Sequence, residues 1–235
     1  MGTEPVEVHS LPGAWGLPSA SPFCLKLLTW LRMAGISYRL KVLKGPPKSP
    51  TGKAPYITRP DGSVLPDSNY IIDTLTAERG VTLDEHLTPA QRATAHLVQR
   101  TLEKSLYFVA MWNRWVPHWQ VTRDGFFAGM HPVVRSVVAP VIRRDVLRQP
   151  RAQGVGLNAP EQIYAEGSAD VQAVARVLGD RDFFFSQPST IDAAAYGLFA
   201  NLLKPEVEDP LTEAVRSQAN IVAFCDRMRE RYWQD

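Results

Sequence analysis

The sequence predicts an α/β unit followed by an all-helical unit, and three observations support this prediction. Alternating apolar and polar residues at 6–9 indicate a short strand, and leucines at helical spacing after Ser21 indicate a helix that follows it. Two further short strands flank the turn residues 60–62. Beyond Thr88 the apolar positions recur at helical spacing. The predicted organisation is a first domain at 1–80, a linker at 81–87 and a second domain at 88–235.

The motif Ser21-Pro22-Phe23-Cys24 predicts the start of the first helix. Ser21 suits the capping position, and Pro22 suits the first helical position, where its missing N–H would have no intrahelical partner. Gly35 predicts the end of the helix. The free N–H groups and the positive end of the helix dipole would favour a thiolate or a carboxylate beside Ser21. An ordinary capped helix would account for the same residues, so the motif alone leaves both interpretations open.

Two later motifs supply further polar and backbone groups. Pro55 follows the small Ala54 at the start of a strand, which predicts a cis peptide bond and backbone groups that point outward to pair with a bound peptide. Asp67 and Ser68 precede a helix predicted at 69–79. Ser68 would cap that helix, and the free N–H groups there would form a second anion site. An ordinary cap is the alternative interpretation of Ser68.

Taken in this order, the three motifs resemble the thioredoxin-like N-terminal domain of glutathione transferases. Ser-Pro-Phe-Cys is similar to the Cys-Pro-Tyr-Cys and Cys-Pro-Phe patterns of glutaredoxins and omega-type transferases, with Ser21 in place of the first cysteine. Ser-Pro-Phe-Cys-Leu-Lys and Asp-Ser-Asn-Tyr-Ile-Ile-Asp-Thr-Leu are similar to the branch that contains metaxins, failed-axon-connections proteins and bacterial glutathione transferase-like relatives. The resemblance covers nearly the whole chain. Some members of that branch are enzymes and others are non-catalytic.

The resemblance implies an N-terminal βαβ-ββα domain, a helical glutathione transferase-type C-terminal domain and a homodimer. One departure lies at 44–51, where a glycine and three prolines disfavour a full helix. The family usually has a helix there, so we expect a shortened second helix. In the C-terminal domain, Ser189 and Asp192 are similar to the capping box that opens the family's buried core helix. Asp192 is therefore expected to serve folding rather than catalysis.

The resemblance also implies glutathione as a co-substrate. Ala54-Pro55 would pair with its cysteinyl backbone, while Asp67 would bind its ammonium group and Ser68 its carboxylate. The thiol would then lie at the N-terminus of the first helix, where the Ser21 hydroxyl could donate a hydrogen bond to the sulfur. Cys24, Ser19 and Trp15 are alternative partners of the thiolate, because the sequence does not fix the path of 11–20. The predicted catalytic residues are Ser21 and Cys24, and the predicted glutathione-binding residues are Trp15, Lys53, Ala54, Pro55, Asp67 and Ser68.

The electrophile is expected in an apolar cleft between the domains. The long helix that opens at Pro89 has an aromatic-rich far end, and in this family it lines the cleft. The predicted pocket residues are Tyr107, Met111 and Trp112. Two functions follow. The first is an enzyme that joins the glutathione thiolate to a small electrophile such as an epoxide. The second is a non-catalytic binding or assembly module, as in metaxin-like relatives.

Composition limits the remaining partners. The net charge of +2 does not indicate nucleic acid binding, and the five histidines show no metal-ligand spacing, so no metal is expected. The first ten residues have no apolar run, and the two distant cysteines fit a reducing, cytoplasmic setting. The segment 123–151 carries six arginines against two acids. A solvated helix face is the favoured interpretation, and contact with an anionic membrane surface is the alternative.

Overall fold

The computed structural model describes residues 4–234 of the chain. Its N-terminal part contains the strands β1 (Val6–Ser10), β2 (Tyr38–Val42), β3 (Tyr56–Thr58) and β4 (Val64–Pro66). They form one sheet in the order β2-β1-β3-β4. β1 runs parallel to β2 and antiparallel to β3, and β3 is antiparallel to β4. This is the sheet that the predicted βαβ-ββα pattern requires.

Two helices pack against this sheet, α1 (Pro22–Met33) and α2 (Ser68–Arg79). The face of α1 that carries Leu27, Leu28 and Leu31 packs with the sheet residues and with α2 in one apolar cluster. The opposite face packs against the C-terminal domain, so every residue of α1 from 24 to 31 is buried. α2 ends at Gly80, as predicted, because the left-handed φ of 63° at that position suits glycine.

The segment between β2 and β3 contains no helix. Residues 43–55 form turns and bends only. The expected shortened second helix is therefore wrong, and the structure lacks this helix altogether. Pro46, Pro47 and Pro50 supply no backbone N–H, and each disfavours the helical conformation of the residue before it.

The C-terminal part is helical throughout. Thr88 and Gln91 form a capping box that opens its first helix. The helices are α3 (Pro89–Arg100), a π-helical turn (Thr101–Leu106), α4 (Tyr107–Trp115), α5 (Trp119–Phe126), α6 (Pro132–Gln153), a 3-10 turn (Val155–Leu157), α7 (Pro160–Leu178), α8 (Thr190–Leu203), α9 (Pro210–Arg216) and α10 (Ala219–Tyr232). α3, the π-helical turn and α4 follow one another without a break, which makes the single long helix that the sequence predicts.

The core of this domain is built around α8, which is buried along almost its whole length. The Asp192 carboxylate accepts hydrogen bonds from the backbone N–H groups of Phe184 (2.9 Å) and Ser189 (2.8 Å) and from the Ser189 hydroxyl (2.9 Å). The predicted capping box is therefore present, and Asp192 serves the fold. Gly197 lets α8 approach α1 closely, since a Cβ at this position would lie 2.6 Å from the carbonyl oxygen of Pro22.

The arginine-rich segment folds into α5 and α6 on the outside of the domain. Val133, Val137 and Val141, one turn apart on α6, are each more than 60% exposed. Arg135 pairs with Asp124 at 3.6 Å, and Arg143 donates to the carbonyl of Trp115 at 2.9 Å. Within residues 4–234, no helix is long and apolar enough to span a lipid bilayer.

Candidate functional site

The register of the sheet brings the three predicted motifs to one end of the N-terminal domain. His9, at the C-terminal end of β1, lies opposite Tyr56, the first residue of β3. Tyr56 in turn lies opposite Pro66, the last residue of β4. All three motifs therefore lie at the same end of the sheet: the loop that leads to Ser21, the Ala54–Pro55 peptide and the Asp67–Ser68 turn.

Ser21 is the N-cap of α1, as the sequence predicts. Its backbone is extended (φ −101°), and its hydroxyl oxygen accepts a hydrogen bond from the N–H of Cys24 at 3.3 Å. The N–H of Ser21 donates to the Ser19 hydroxyl at 3.3 Å. Because the Ser21 oxygen accepts the bond of the cap, its hydroxyl proton can be donated to a second group.

Cys24 and Ser19 lie inside the protein rather than at the helix end. Both are 0% exposed. The Cys24 thiol contacts the hydroxyls of Ser10, Ser19 and Ser21, and burial raises its pKa. A buried thiol with a raised pKa is a poor nucleophile, so the structure argues against the predicted catalytic role of Cys24. The sequence could not reveal this, because the face of α1 that carries Cys24 is covered by the β1–α1 loop.

Trp15 packs against the C-terminal domain. It adopts a left-handed backbone conformation (φ 53°) in a tight turn, and its ring faces the Arg114 guanidinium at 4.9 Å. A Cβ at Gly125 of α5 would lie 2.5 Å from the indole, so only a glycine leaves room for this ring. Trp15 therefore joins the loop before Ser21 to α4 and α5. The sequence analysis named Trp15 as an alternative partner of the thiolate, and these contacts place its ring beside Arg114 at the boundary between the two domains.

The Ala54–Pro55 peptide bond is cis, as predicted. It follows an exposed turn in which the Ser49 hydroxyl donates to the carbonyl of Lys53 at 2.7 Å and accepts from its N–H at 3.1 Å. The Lys53 ammonium reaches Gln149 of α6 at 3.3 Å. The backbone of Lys53 is thus tied to its own turn, and its side chain is directed to the C-terminal domain.

Asp67, and not Ser68, caps α2. Its carboxylate accepts from the N–H of Asn69 at 2.8 Å, and its φ of 70° is in the left-handed region. Ser68 is the first helical residue and is buried. The predicted cap is therefore wrong by one residue, because the unusual backbone of Asp67 turns its side chain over the first turn of the helix. The predicted juxtaposition of an acid, a hydroxyl and a helix N-terminus is present.

A buried ionic network lies next to this turn, and the sequence analysis missed it. The Lys26 ammonium pairs with the Glu103 carboxylate at 2.6 Å and also contacts the Asn69 amide oxygen. The Asn69 amide donates to Glu103 at 2.9 Å, and Gln99 donates to the same carboxylate at 3.2 Å. Burial lowers the pKa of Lys26. The sequence contains one signal that could have indicated this network, which is the lysine within the apolar run 25–31 of α1.

The three predicted pocket residues do not form one wall. The Tyr107 ring contacts Phe23 of α1 edge-on at 4.7 Å, which places it at the domain boundary near Ser21. Met111 is buried with Trp115 under α5 and α6. Trp112 packs against Tyr164 of α7 at 5.5 Å, on another side of α4. Tyr107 also packs against the cluster that contains Met111, because residues four positions apart lie on the same face of a helix. Trp112, five positions after Tyr107, faces α7 instead, so it does not belong to the same wall.

Comparison with known proteins identifies the family. A family model of the glutathione S-transferase N-terminal domain matches residues 22–120, and one of the glutathione S-transferase C-terminal domain matches residues 167–228. The chain belongs to the glutathione S-transferase family. A solved structure of similar fold is the glutathione S-transferase CsGST63524 of Ceriporiopsis subvermispora in complex with glutathione, with a TM-score of 0.65, 16% identity and coverage of 99% of each chain.

Individual relatives indicate the branch. The chain is 28% identical to isoprene-epoxide–glutathione S-transferase of Rhodococcus sp. strain AD45, over 97% of this chain and 99% of that protein. It is 26% identical to Failed axon connections of Drosophila melanogaster, over 93% of this chain and 56% of that protein. It is 25% identical to human Metaxin-1, over 97% of this chain and 51% of that protein. These relatives confirm the branch that the motifs predicted.

Proposed function

We propose that this protein conjugates the glutathione thiolate to a small apolar electrophile, with an epoxide as the first candidate. The observation that carries the proposal is the register of β1, β3 and β4, which gathers Ser21, the cis Ala54–Pro55 peptide and the Asp67–Ser68 turn at one end of the sheet. The similarity to the Rhodococcus protein named for isoprene epoxide supports the choice of electrophile.

The three groups have separate roles in this proposal. The backbone at Ala54 pairs with the cysteinyl residue of glutathione, and the α2 N-terminus binds its γ-glutamyl carboxylate. Asp67 binds the ammonium group. The thiol then lies beside Ser21, where the hydroxyl and the dipole of α1 favour the thiolate. The sulfur forms a bond to an epoxide carbon, the carbon–oxygen bond breaks, and the oxygen takes up a proton. Tyr107 and Phe23 form the nearby apolar wall.

Binding is the first test. Glutathione at a hundred times its dissociation constant should stabilise the folded protein by about 2.7 kcal/mol, which a thermal scan detects. Calorimetry on the same sample gives the affinity. If millimolar glutathione neither shifts the melting temperature nor releases heat, the conjugation proposal fails. The non-catalytic module then remains, and the missing helix between β2 and β3 is the observation that favours it.

Turnover is the second test, and it uses Ser21→Ala, Ser21→Cys and the exposed control Ser217→Ala. Ser21→Ala should lose most conjugation of an epoxide while costing only about 1 kcal/mol of stability for the cap. Ser21→Cys should lose conjugation and gain exchange with a mixed glutathione disulfide, without help from the buried Cys24. If Ser21→Ala and Ser21→Cys conjugate the epoxide as fast as the control Ser217→Ala, the partner of the thiolate is another residue. If the wild type reduces the disulfide and Cys24→Ala abolishes this activity, Cys24 is the catalytic residue after all.

We also propose that the protein is a cytoplasmic homodimer. The family resemblance and the two widely spaced cysteines support these proposals. Light scattering during size-exclusion chromatography should give twice the 26.2 kDa mass of the chain. A mass equal to a single chain at micromolar concentration would contradict the dimer.

A further inference from the structure

Arg114 of α4 lies beside the start of α1. One end of its guanidinium (Nη1) donates to the carbonyl of Ala20 at 2.7 Å. The other (Nη2) donates to the backbone carbonyl of Asn201 at 2.7 Å and to its side-chain oxygen at 3.2 Å. Its plane faces the Trp15 ring. Arg114 therefore connects α8, the loop before α1 and α4 at the boundary between the two domains.

The charge of Arg114 has no counter-ion. Among residues 4–234, no carboxylate forms an ion pair with it, and every acceptor that it contacts is a neutral carbonyl or amide. Burial lowers the pKa of the guanidinium to about 10, so it remains charged at neutral pH. A partly buried cation without an anion is unfavourable, and an apolar residue would fill the same space at lower cost. The Asn201 carbonyl lies in the last turn of α8, whose negative dipole end offsets part of this charge, and an anion bound beside Ser21 would offset more of it.

The position of this charge indicates which anion. Ala20 immediately precedes Ser21, so the guanidinium lies next to the N-terminal end of α1. The Ser21 hydroxyl and the dipole of α1 favour negative charge at the same place. Tyr107 is near enough for its phenol to interact electrostatically with Arg114, and burial raises the pKa of this phenol to about 12, which keeps it neutral.

We propose that Arg114 is a positioning residue of the glutathione site, which fixes Ser21 through the carbonyl of Ala20 and supplies the positive charge that favours the ionised thiol of glutathione. The inference rests on the proposed function. It assigns to α4 of the C-terminal domain a part of the thiol activation that otherwise comes from the N-terminal domain alone.

The first test compares Arg114→Gln, Arg114→Lys and the exposed control Arg148→Gln. The pKa of enzyme-bound glutathione is read from the ultraviolet absorbance of its thiolate as a function of pH. Arg114→Gln should raise that pKa by about one unit, a tenfold loss of thiolate at a given pH. Arg114→Lys keeps the charge and should stay closer to wild type. Affinity for S-methylglutathione, which has no ionisable thiol, should change less than threefold in every variant.

The second test keeps Arg114 in place and changes only its charge balance. Ala110 lies one turn earlier on α4, and together with Trp15 and Arg114 it lines a small cavity. Ala110→Glu would supply a carboxylate to Arg114, and Ala110→Gln is the control of equal size. The bound thiol should have the higher pKa in the Glu variant. This comparison remains informative if Arg114→Gln does not fold.

The outcomes separate the two proposals. If wild-type protein does not bind glutathione, or binds it without lowering the pKa of its thiol, the proposed function and this inference both fail. If the wild type lowers that pKa while Arg114→Gln and Ala110→Glu leave it unchanged, only the role of Arg114 is overturned. A rise in both variants, with S-methylglutathione affinity retained, supports the assignment.

Discussion

At the Asp67–Ser68 turn, the helix cap and the hydroxyl group belong to two adjacent residues, whereas the sequence analysis assigned both to Ser68. Asp67 caps α2 through its hydrogen bond from Asn69, whereas Ser68 occupies the first helical position. A cap can be lost without loss of the neighbouring hydroxyl. The two side chains can therefore be separated by single substitutions.

Ser68→Ala should weaken glutathione binding and leave the α2 cap intact, because the capping carboxylate belongs to Asp67. Asp67→Ala should weaken binding and also lower the free energy of unfolding by about 1 kcal/mol. Calorimetry with glutathione and urea denaturation of the unliganded protein measure the two quantities. A larger stability loss for Ser68→Ala with unchanged affinity would show that Ser68 serves folding only.

At the scale of elements, the packing of α8 on α1 holds the start of the site in place. Gly197 allows the contact, because an added Cβ would lie 2.6 Å from the Pro22 oxygen and 3.0 Å from the Lys26 nitrogen. Both atoms belong to the backbone of α1 and cannot turn aside. The position of Ser21 therefore depends on a residue more than 170 positions later in the chain.

Gly197→Ala should lower the free energy of unfolding by about 1–3 kcal/mol and reduce glutathione affinity, since α1 must move away from α8. Gly129→Ala is the matched control, because a Cβ there meets no atom within 4 Å. Chemical denaturation of both variants tests the prediction. Equal stability of the two variants would mean that the helices separate without cost.

The cap of α8 should make stability depend on pH. Burial raises the pKa of Asp192 from 3.8 to about 6. A carboxyl whose pKa is higher in the folded state binds a proton on folding. Its contribution to the free energy of unfolding is therefore fully present below pH 4 and is lost as the pH rises to about 6, by up to about 3 kcal/mol.

Asp192→Asn should be destabilised at every pH, because an amide oxygen cannot replace both carboxylate oxygens. The difference in free energy of unfolding between this variant and the wild type should shrink as the pH rises from 4 to 6. Asp180→Asn, on the exposed loop after α7, should show the wild-type slope. Denaturation at four or five pH values measures the slopes. Parallel wild-type and Asp192→Asn curves would show that the three donors keep Asp192 ionised throughout.

Across the whole molecule, the two domains are joined by a buried ion pair as well as by apolar packing. Lys26 belongs to α1, Glu103 to the π-helical turn, and Asn69 to the start of α2. The pair therefore links the predicted γ-glutamyl site to the C-terminal domain. Removing one member of such a pair leaves the other buried without a partner.

Lys26→Met should lower the free energy of unfolding by about 3–5 kcal/mol, because the Glu103 carboxylate would remain buried without its cation. The double variant Lys26→Met with Glu103→Gln should recover much of that loss, since the amide keeps a hydrogen bond to Asn69. Urea denaturation of the two variants gives the difference. Equal destabilisation of the two variants would show that the loss does not come from leaving the Glu103 carboxylate unpaired.

Much of the fold could be predicted because its signals are local. The alternation at 6–9, the cap at Ser21, the Ala54–Pro55 strand start and the capping box at Ser189 each depend on residues within a few positions of one another. Two errors were local, the cap assigned to Ser68 and the shortened helix between β2 and β3. The other errors arose where the environment is distant in sequence. Cys24 is buried by the loop before α1, and Trp112 packs against Tyr164 of α7 rather than beside Tyr107 and Met111.

The sequence by itself determined the order of elements, their capping residues and the membership of a family whose motifs bind glutathione. Capping, proline positions and hydrophobic periodicity act over one turn or one strand, so a linear pattern suffices to read them. The tertiary structure alone decided which side chains are buried and which charges lie next to one another. Lys26 with Glu103, and Arg114 with the carbonyl of Ala20, are pairs formed by chain segments 77 and 94 residues apart. Their energies depend on burial and distance in the folded chain, which no local pattern encodes.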